Sequence, residues 1–238
     1  MQKYSFHYGE GFLDFSVDES QVIGELHMAE TPVLDNVEEK ILAALDNPID
    51  SKPLKDLVKA GDTVCIIAND TTRVANTYVF MPLLLNYLNA QGIPDENIKI
   101  LFALGTHRDM PHEEMVSEVG EEVARRVKMY NSSCKKSEDF VHLGETSFGT
   151  PVEVNKHAVE ADVLIATGSV VHHFFAGFGG GRKAVLPGVA SFDCVRKNHS
   201  LMLNPEAMIG QLEGNPIYDD QIEGVAMCPP TFLLNVVL

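Results

Sequence analysis

Between Gly168 and Ala190 the chain reads GSVVHHFFAGFGGGRKAVLPGVA, which gathers His172, His173, six glycines, Arg182 and Lys183 into one short stretch. Gly177, Gly179, Gly180 and Gly181 permit positive φ and let backbone amides approach an anion, while Arg182 and Lys183 add positive charge. A phosphate suits such a loop. Two further runs carry functional groups, NDTTR at 69–73 (Asp70, Thr72, Arg73) and LGTHR at 104–108 (His107, Arg108), and RKNHS at 196–200 supplies His199. Imidazoles titrating near neutrality suit reversible proton transfer, and an imidazole nitrogen is also a common metal ligand. A nucleoside-triphosphate loop is excluded, because Arg182 separates the last glycine from Lys183 and Ala184 stands where a magnesium-binding hydroxyl belongs.

The elements that must position these groups follow from the apolar pattern. Short apolar runs at 63–68 (TVCIIA), 99–104 (KILFAL) and 162–167 (DVLIAT) read as buried strands, and each ends at one of the functional runs. Amphipathic helices are predicted at 35–46, 77–90, 111–119, 121–126, 191–202 and 218–226, with Gly92-Ile93-Pro94 stopping the second. A further strand is expected near 127–130, and the polar run 131–138 reads as a solvated loop. Strands alternating with helices imply an α/β fold with a mainly parallel, doubly wound, Rossmann-like sheet, whose ligands bind at the carboxyl ends of the strands. The first thirty residues instead alternate apolar and polar side chains around Gly9-Glu10-Gly11, the pattern of a small antiparallel hairpin or meander, with His7 and His27 as ordinary half-buried residues.

Composition narrows the function classes. With 238 residues and 45% apolar side chains the chain can bury a sizeable core. A formal charge of -16 opposes a nucleic-acid or anionic-membrane surface, so the local cations Arg73, Arg108, Arg182 and Lys183 stand out. Cys65, Cys134, Cys194 and Cys228 have no C-x-x-C spacing and read as buried thiols of a reducing compartment. The amino terminus lacks the apolar segment of a secretory signal, and no apolar run reaches membrane-spanning length, so a soluble cytoplasmic protein is expected. The apolar ending TFLLNVVL reads as a strand at the front part of a longer protein.

The motifs HHFFAGFGGGRKAVLPGVA, NDTTR, LGTHR and RKNHS, in this order and over roughly residues 10–238, resemble the amino-terminal domain of the lactate racemase family, which uses a nickel-pincer nucleotide. The resemblance implies that residues 1–238 are the cofactor-binding domain of a two-domain racemase or epimerase of a small 2-hydroxy acid. It implies that Lys183 bonds covalently to the cofactor, that His107 and His173 are the catalytic acid–bases, and that His199 is the protein ligand to nickel. Asp70, Thr72, Arg73, Gly180, Gly181 and Arg182 would hold the nucleotide or help to position the substrate. Proteins that make the cofactor and insert nickel become the expected partners. Gly179 stands where the family usually has serine, and Tyr218 where it often has arginine, which leaves room for a different substrate. A phosphoryl-transfer protein and a non-catalytic cofactor-binding fragment are the alternatives.

Overall fold

The computed structural model describes residues 1–27, 29 and 33–238. They form two units, Met1–Asp35 and Asn36–Leu238.

The first unit is the antiparallel hairpin β1 (Gln2–Tyr8) and β2 (Gly11–Val17), joined through Gly9 at φ 60. Tyr4, Phe6 and Phe15 stack along one face of it. The third alternating segment forms no strand among its described residues: Asp18 caps a short 3-10 turn at Glu19–Gln21, and the chain then follows no regular structure, with Glu25 accepting from Gln2 and Tyr4 of β1. Met28 and Glu30, at the end of that stretch, lie outside the described residues. His7 and His27 are exposed rather than half-buried.

In the second unit, helix α1 (Val37–Asp46) precedes β3 (Val64–Asn69), α2 (Thr77–Ala90), β4 (Ile98–Ala103), α3 (His112–Val119), α4 (Glu121–Arg126) and β5 (Lys128–Asn131). After the antiparallel pair β6 (Phe140–Glu145) and β7 (Pro151–Asn155) come a short α5 (Lys156–Val159) and β8 (Val163–Ser169). A two-residue ribbon follows, β9 (His172–His173) and β10 (Gly177–Phe178), then α6 (Phe192–Ser200), α7 (Pro216–Val225) and β11 (Phe232–Val236). The pair β6–β7 falls in a stretch where the sequence pattern assigns no strand, since Gly144 and the turn around Gly149 interrupt the alternation.

Five strands make one parallel sheet in the order β11-β8-β3-β4-β5. Its two faces are read directly from strand periodicity. Val64, Ile66 and Ala68 of β3 face one core, packed with Phe80, Leu84, Leu88, Met115 and Val123 from α2, α3 and α4. Cys65 and Ile67 face the other, packed with Ala158, Val185, Leu186, Cys194 and Val195. The doubly wound expectation therefore holds, and all four cysteines are buried free thiols. Among the described residues no helix is long and apolar enough to cross a membrane.

Candidate functional site

The three strands that end in functional runs, β8, β3 and β4, are neighbours at the centre of the sheet. Parallel pairing aligns their carboxyl ends, so the runs that follow share one rim. There they enclose a cavity of about 580 Å³ whose lining includes Asp70, Thr72, Arg73, His107, His173, Gly180, Lys183 and His199. His199 arrives from α6, capped by Ser191 Oγ accepting from the Cys194 amide.

One wall is built by β3 and β4. Asp70 is 3% exposed, yet its carboxylate is satisfied by three donors. Thr72 donates its amide (3.2 Å) and hydroxyl (2.7 Å) to Oδ1, and His107 Nδ1 lies 2.5 Å from Oδ2. A carboxylate only accepts, so Nδ1 of His107 carries the proton and Nε2 of the neutral ring keeps its lone pair. Asp70 thus orients a base, a link between residues 37 apart that no local pattern announces.

The opposite wall, after β8, is cationic. Burial, then Lys183, Arg73, His199 and Arg182, push His173 down to about 4, so its ring is neutral at physiological pH. Burial, with Arg182 and Arg73, brings the Lys183 amine down to about 7, which leaves much of it unprotonated and nucleophilic at neutrality. His199 is lowered by burial and then by Lys183, against an opposing pull from the Val195 carbonyl one turn back, towards which its buried Nδ1 makes no well-aligned hydrogen bond. The Phe175 ring meets both imidazoles edge-on, 4.6 Å from His173 and 5.2 Å from His199.

The structure does not bring every expected residue to the cavity. Arg182 turns away: its Nη2 donates to Ala176 O at 2.7 Å and its guanidinium lies 4.3 Å over the Tyr218 ring. Gly181 is likewise outside the lining, and its amide donates to Asn235 Oδ1 at 3.0 Å. The Gly177 amide bonds Met208 O and the Gly179 amide bonds Val171 O, so with Gly181 three amides of the expected anion cradle are taken up internally. Arg108 pairs with Glu114 at 2.7 Å and is not among the residues lining the cavity. Of the four singled-out cations, Arg73 and Lys183 line the cavity. Gly180, at φ 73, does line it, and a Cβ there would lie 3.0 Å from Asn235 Oδ1 and 3.1 Å from Ser169 O.

His172 is exposed and stacks on Phe178, with its ring 5.0 Å away, while His173 is half-buried. Asn235 and Phe175 were not singled out from the sequence. The polar side chain of Asn235 inside the apolar run TFLLNVVL is a signal for the first, whereas Phe175 carries none.

A parallel α/β domain that gathers His107, His173, His199 and a lysine of lowered basicity around one cleft at the carboxyl ends of its strands has the architecture of a ligand-binding α/β domain. Residues 8–210 match the family described as lactate racemase N-terminal domain, and the chain belongs to that family. It is 36% identical over 242 residues to a lactate racemase of Thermoanaerobacterium thermosaccharolyticum, covering 100% of this chain and 57% of the relative. It is 37% identical over 203 residues to a lactate racemase of Lactiplantibacillus plantarum, covering 84% of this chain and 48% of that protein. The chain thus spans about half the length of these curated relatives. The solved lactate racemase apoprotein from T. thermosaccharolyticum superposes with a TM-score of 0.84 at 35% identity, over 100% of this chain and 56% of that one. A crystal structure of a Thermotoga maritima protein matches with a TM-score of 0.71 at 28% identity, over 84% of this chain and 51% of that one.

Proposed function

We propose that this chain is the cofactor-binding, amino-terminal part of a two-domain racemase or epimerase of a small, lactate-like 2-hydroxy acid, and that it carries a nickel-pincer nucleotide. The observation that carries the reading is Lys183: a half-buried amine held near a pKa of about 7, lining the same cavity as His107, His173 and His199. A lysine meant only for charge pairing gains nothing from losing its proton, whereas an amine that forms a covalent bond to an acyl or thioacyl carbon needs its lone pair.

The residues present fit such a group. Among the described residues no set of three or more His, Cys, Asp and Glu side chains is gathered as a metal site. A metal held by His199 would find sulfur donors on such a cofactor to complete its coordination. The His199 imidazole, which lines the cavity, suits nickel, and Gly180 keeps the loop backbone packed close to Ser169 and Asn235 beside it. When bound, the cofactor supplies an acceptor and donor of hydride for the substrate Cα.

The chain's own groups do the rest. Arg73 pairs with the substrate carboxylate, and His107 takes the hydroxyl proton at Nε2 while Asp70 stabilises the imidazolium that forms. His173, from the opposite wall, would return a proton to the oxygen when hydrogen returns to the other face, a role that requires it to be protonated first. Lys183 would carry no positive charge once in an amide-type link to the cofactor, and a carboxylate at Arg73 would offset a second charge. Both are among the charges that hold His173 low, so loading and substrate binding together raise its proton affinity. The phosphoryl-transfer alternative finds little support in a glycine loop whose amides are internally bonded.

Four buried thiols suit the cytoplasm, where the proteins that build the cofactor and insert nickel are the partners of this chain. The test is intact-mass spectrometry of the chain co-expressed with those proteins and nickel, with a peptide map around Lys183. A nucleotide-sized adduct with nickel on Lys183 is expected; a bare mass overturns the reading for this chain.

A further inference from the structure

The segment between β9 and β10 turns back on His173. Its Nδ1 faces two backbone donors, the amides of Phe175 (3.5 Å) and Ala176 (3.3 Å). Each bond is long, but they converge on one atom, and a proton on Nδ1 would point at both. Rotating the ring by a half-turn would aim Cδ2–H at the same donors, so the turn fixes the ring's orientation as well. Neutral His173 therefore carries its proton on Nε2.

That turn is held from outside. Arg182 Nη2 donates to Ala176 O at 2.7 Å and reaches Phe178 O at 3.5 Å. Its guanidinium is kept in place by the Tyr218 ring on α7. Asn215, fully buried, donates Nδ2 to Phe175 O at 2.9 Å while its Oδ1 caps α7 through the amides of Ile217 and Tyr218. The two residues whose amides face His173 thus have their carbonyls clamped, one by Arg182 and one by Asn215. Arg182 lies outside the cavity lining, so its place in the frame explains an arginine beside Lys183 that touches nothing in the cleft.

We infer that Arg182, Tyr218 and Asn215 are positioning residues that hold the 174–177 turn against His173 and lock its imidazole in the Nε2–H tautomer, opposite to His107, whose Nδ1–H is held by Asp70. The two histidines then enter the site prepared for opposite duties, His107 to accept a proton and His173 to donate a hydrogen bond. A reaction that starts with proton removal by His173 requires the turn to release Nδ1 first. This inference rests on the proposed function only for the meaning of the two proton states; the states themselves are properties of the free chain.

The test needs no cofactor. Long-range proton–nitrogen correlation spectra of the chain labelled with 15N-histidine at pH 7.5 (a value well above the lowered His173 range) report which ring nitrogen carries the proton, with His173 assigned by its disappearance in His173→Gln. The wild-type chain is expected to show the Nε2–H pattern at His173 and the Nδ1–H pattern at His107. Tyr218→Leu and Arg182→Gln are expected to raise the Nδ1–H share at His173 about fivefold, the scale of one ordinary hydrogen bond, and Tyr218→Phe to leave it unchanged. An Nδ1–H pattern or an even mixture in wild-type His173 overturns the lock whether or not the variants fold. Folded Tyr218→Leu and Arg182→Gln chains with an unaltered tautomer overturn the role of the frame. Neither failure touches the Lys183 adduct test, so the lock and the proposed function stand or fall separately.

Discussion

The two walls of the cleft use the same side chain in opposite surroundings. On the β3–β4 wall, His107 sits beside the buried Asp70 carboxylate, its side chain 44% exposed. On the β8 wall, His173 is held low by burial and by four basic neighbours, with no carboxylate among the charges that act on it. An imidazole beside a fixed anion is built to become charged, and one among cations is built to stay neutral until those cations are neutralised. The difference places the demand for change around His173, where Lys183 of the same wall and Arg73 from the wall opposite can lose or offset their charge.

The largest expected effect removes the chemistry of the β8 wall outright. Lys183→Arg keeps a positive charge there but no nucleophilic amine, so the covalent adduct disappears entirely; adduct retained on that variant, read by intact mass, would assign the attachment elsewhere. Next, under the proposed function, His107→Ala and His173→Ala in the loaded two-domain enzyme are each expected to lower racemisation by about 10²- to 10⁴-fold, the usual range for a general acid–base. Asp70→Asn lowers it by about 10- to 100-fold, the scale for a partner that orients a functional histidine. Because Asp70 touches only the β3–β4 wall, Asp70→Asn added to His107→Ala costs little more than His107→Ala alone; additive losses in a double-mutant cycle would break the pairing.

A smaller effect tests the glycine loop as a scaffold. A Cβ at Gly188 would lie 2.2 Å from Ala184 O and 2.8 Å from Ala103 Cβ, so Gly188→Ala destabilises by about 1–3 kcal/mol or more through forced backbone movement. At Gly181 nothing lies within 4 Å, and alanine costs only the strain of φ 53, about 1–2 kcal/mol. Urea midpoints that rank the two in the reverse order would contradict the packing described.

The smallest effect is on the pH dependence of stability. His173 titrates at about 4 in the folded chain against 6.5 for the ordinary group, so between those values the unfolded chain binds more protons. This contribution to stability is full above about 6.5 and is lost as the pH falls towards 4. His173→Gln removes it, and the fall of the urea midpoint between pH 7 and pH 4.5 (both measured at constant ionic strength) becomes shallower than in wild type. An equal or steeper fall would place His173 in ordinary surroundings.

Much of this molecule is legible along the chain. The three central strands announce themselves because burial on both faces requires continuous apolar runs, and parallel topology then delivers NDTTR, LGTHR and the glycine loop to one rim. Helix ends followed equally local chemistry, as at Ser191, Asn215 and Gly92. The antiparallel pair β6–β7 escaped because its alternation is broken by Gly144 and its turn.

What the residue order determined by itself is therefore the set of chemical groups, the strands they follow and the end of the sheet at which they meet, since burial and turn chemistry act over a few residues. Tertiary structure alone decided which of those groups face one another. Asp70 reaches His107 across 37 residues, Asn235 takes the Gly181 amide across 54, and Arg182 turns from the cleft to Tyr218 while its neighbour Lys183 turns into it. Adjacent side chains point in different directions, and only the packing of the elements around them fixes which direction is buried, which is hydrated and what charge lies there.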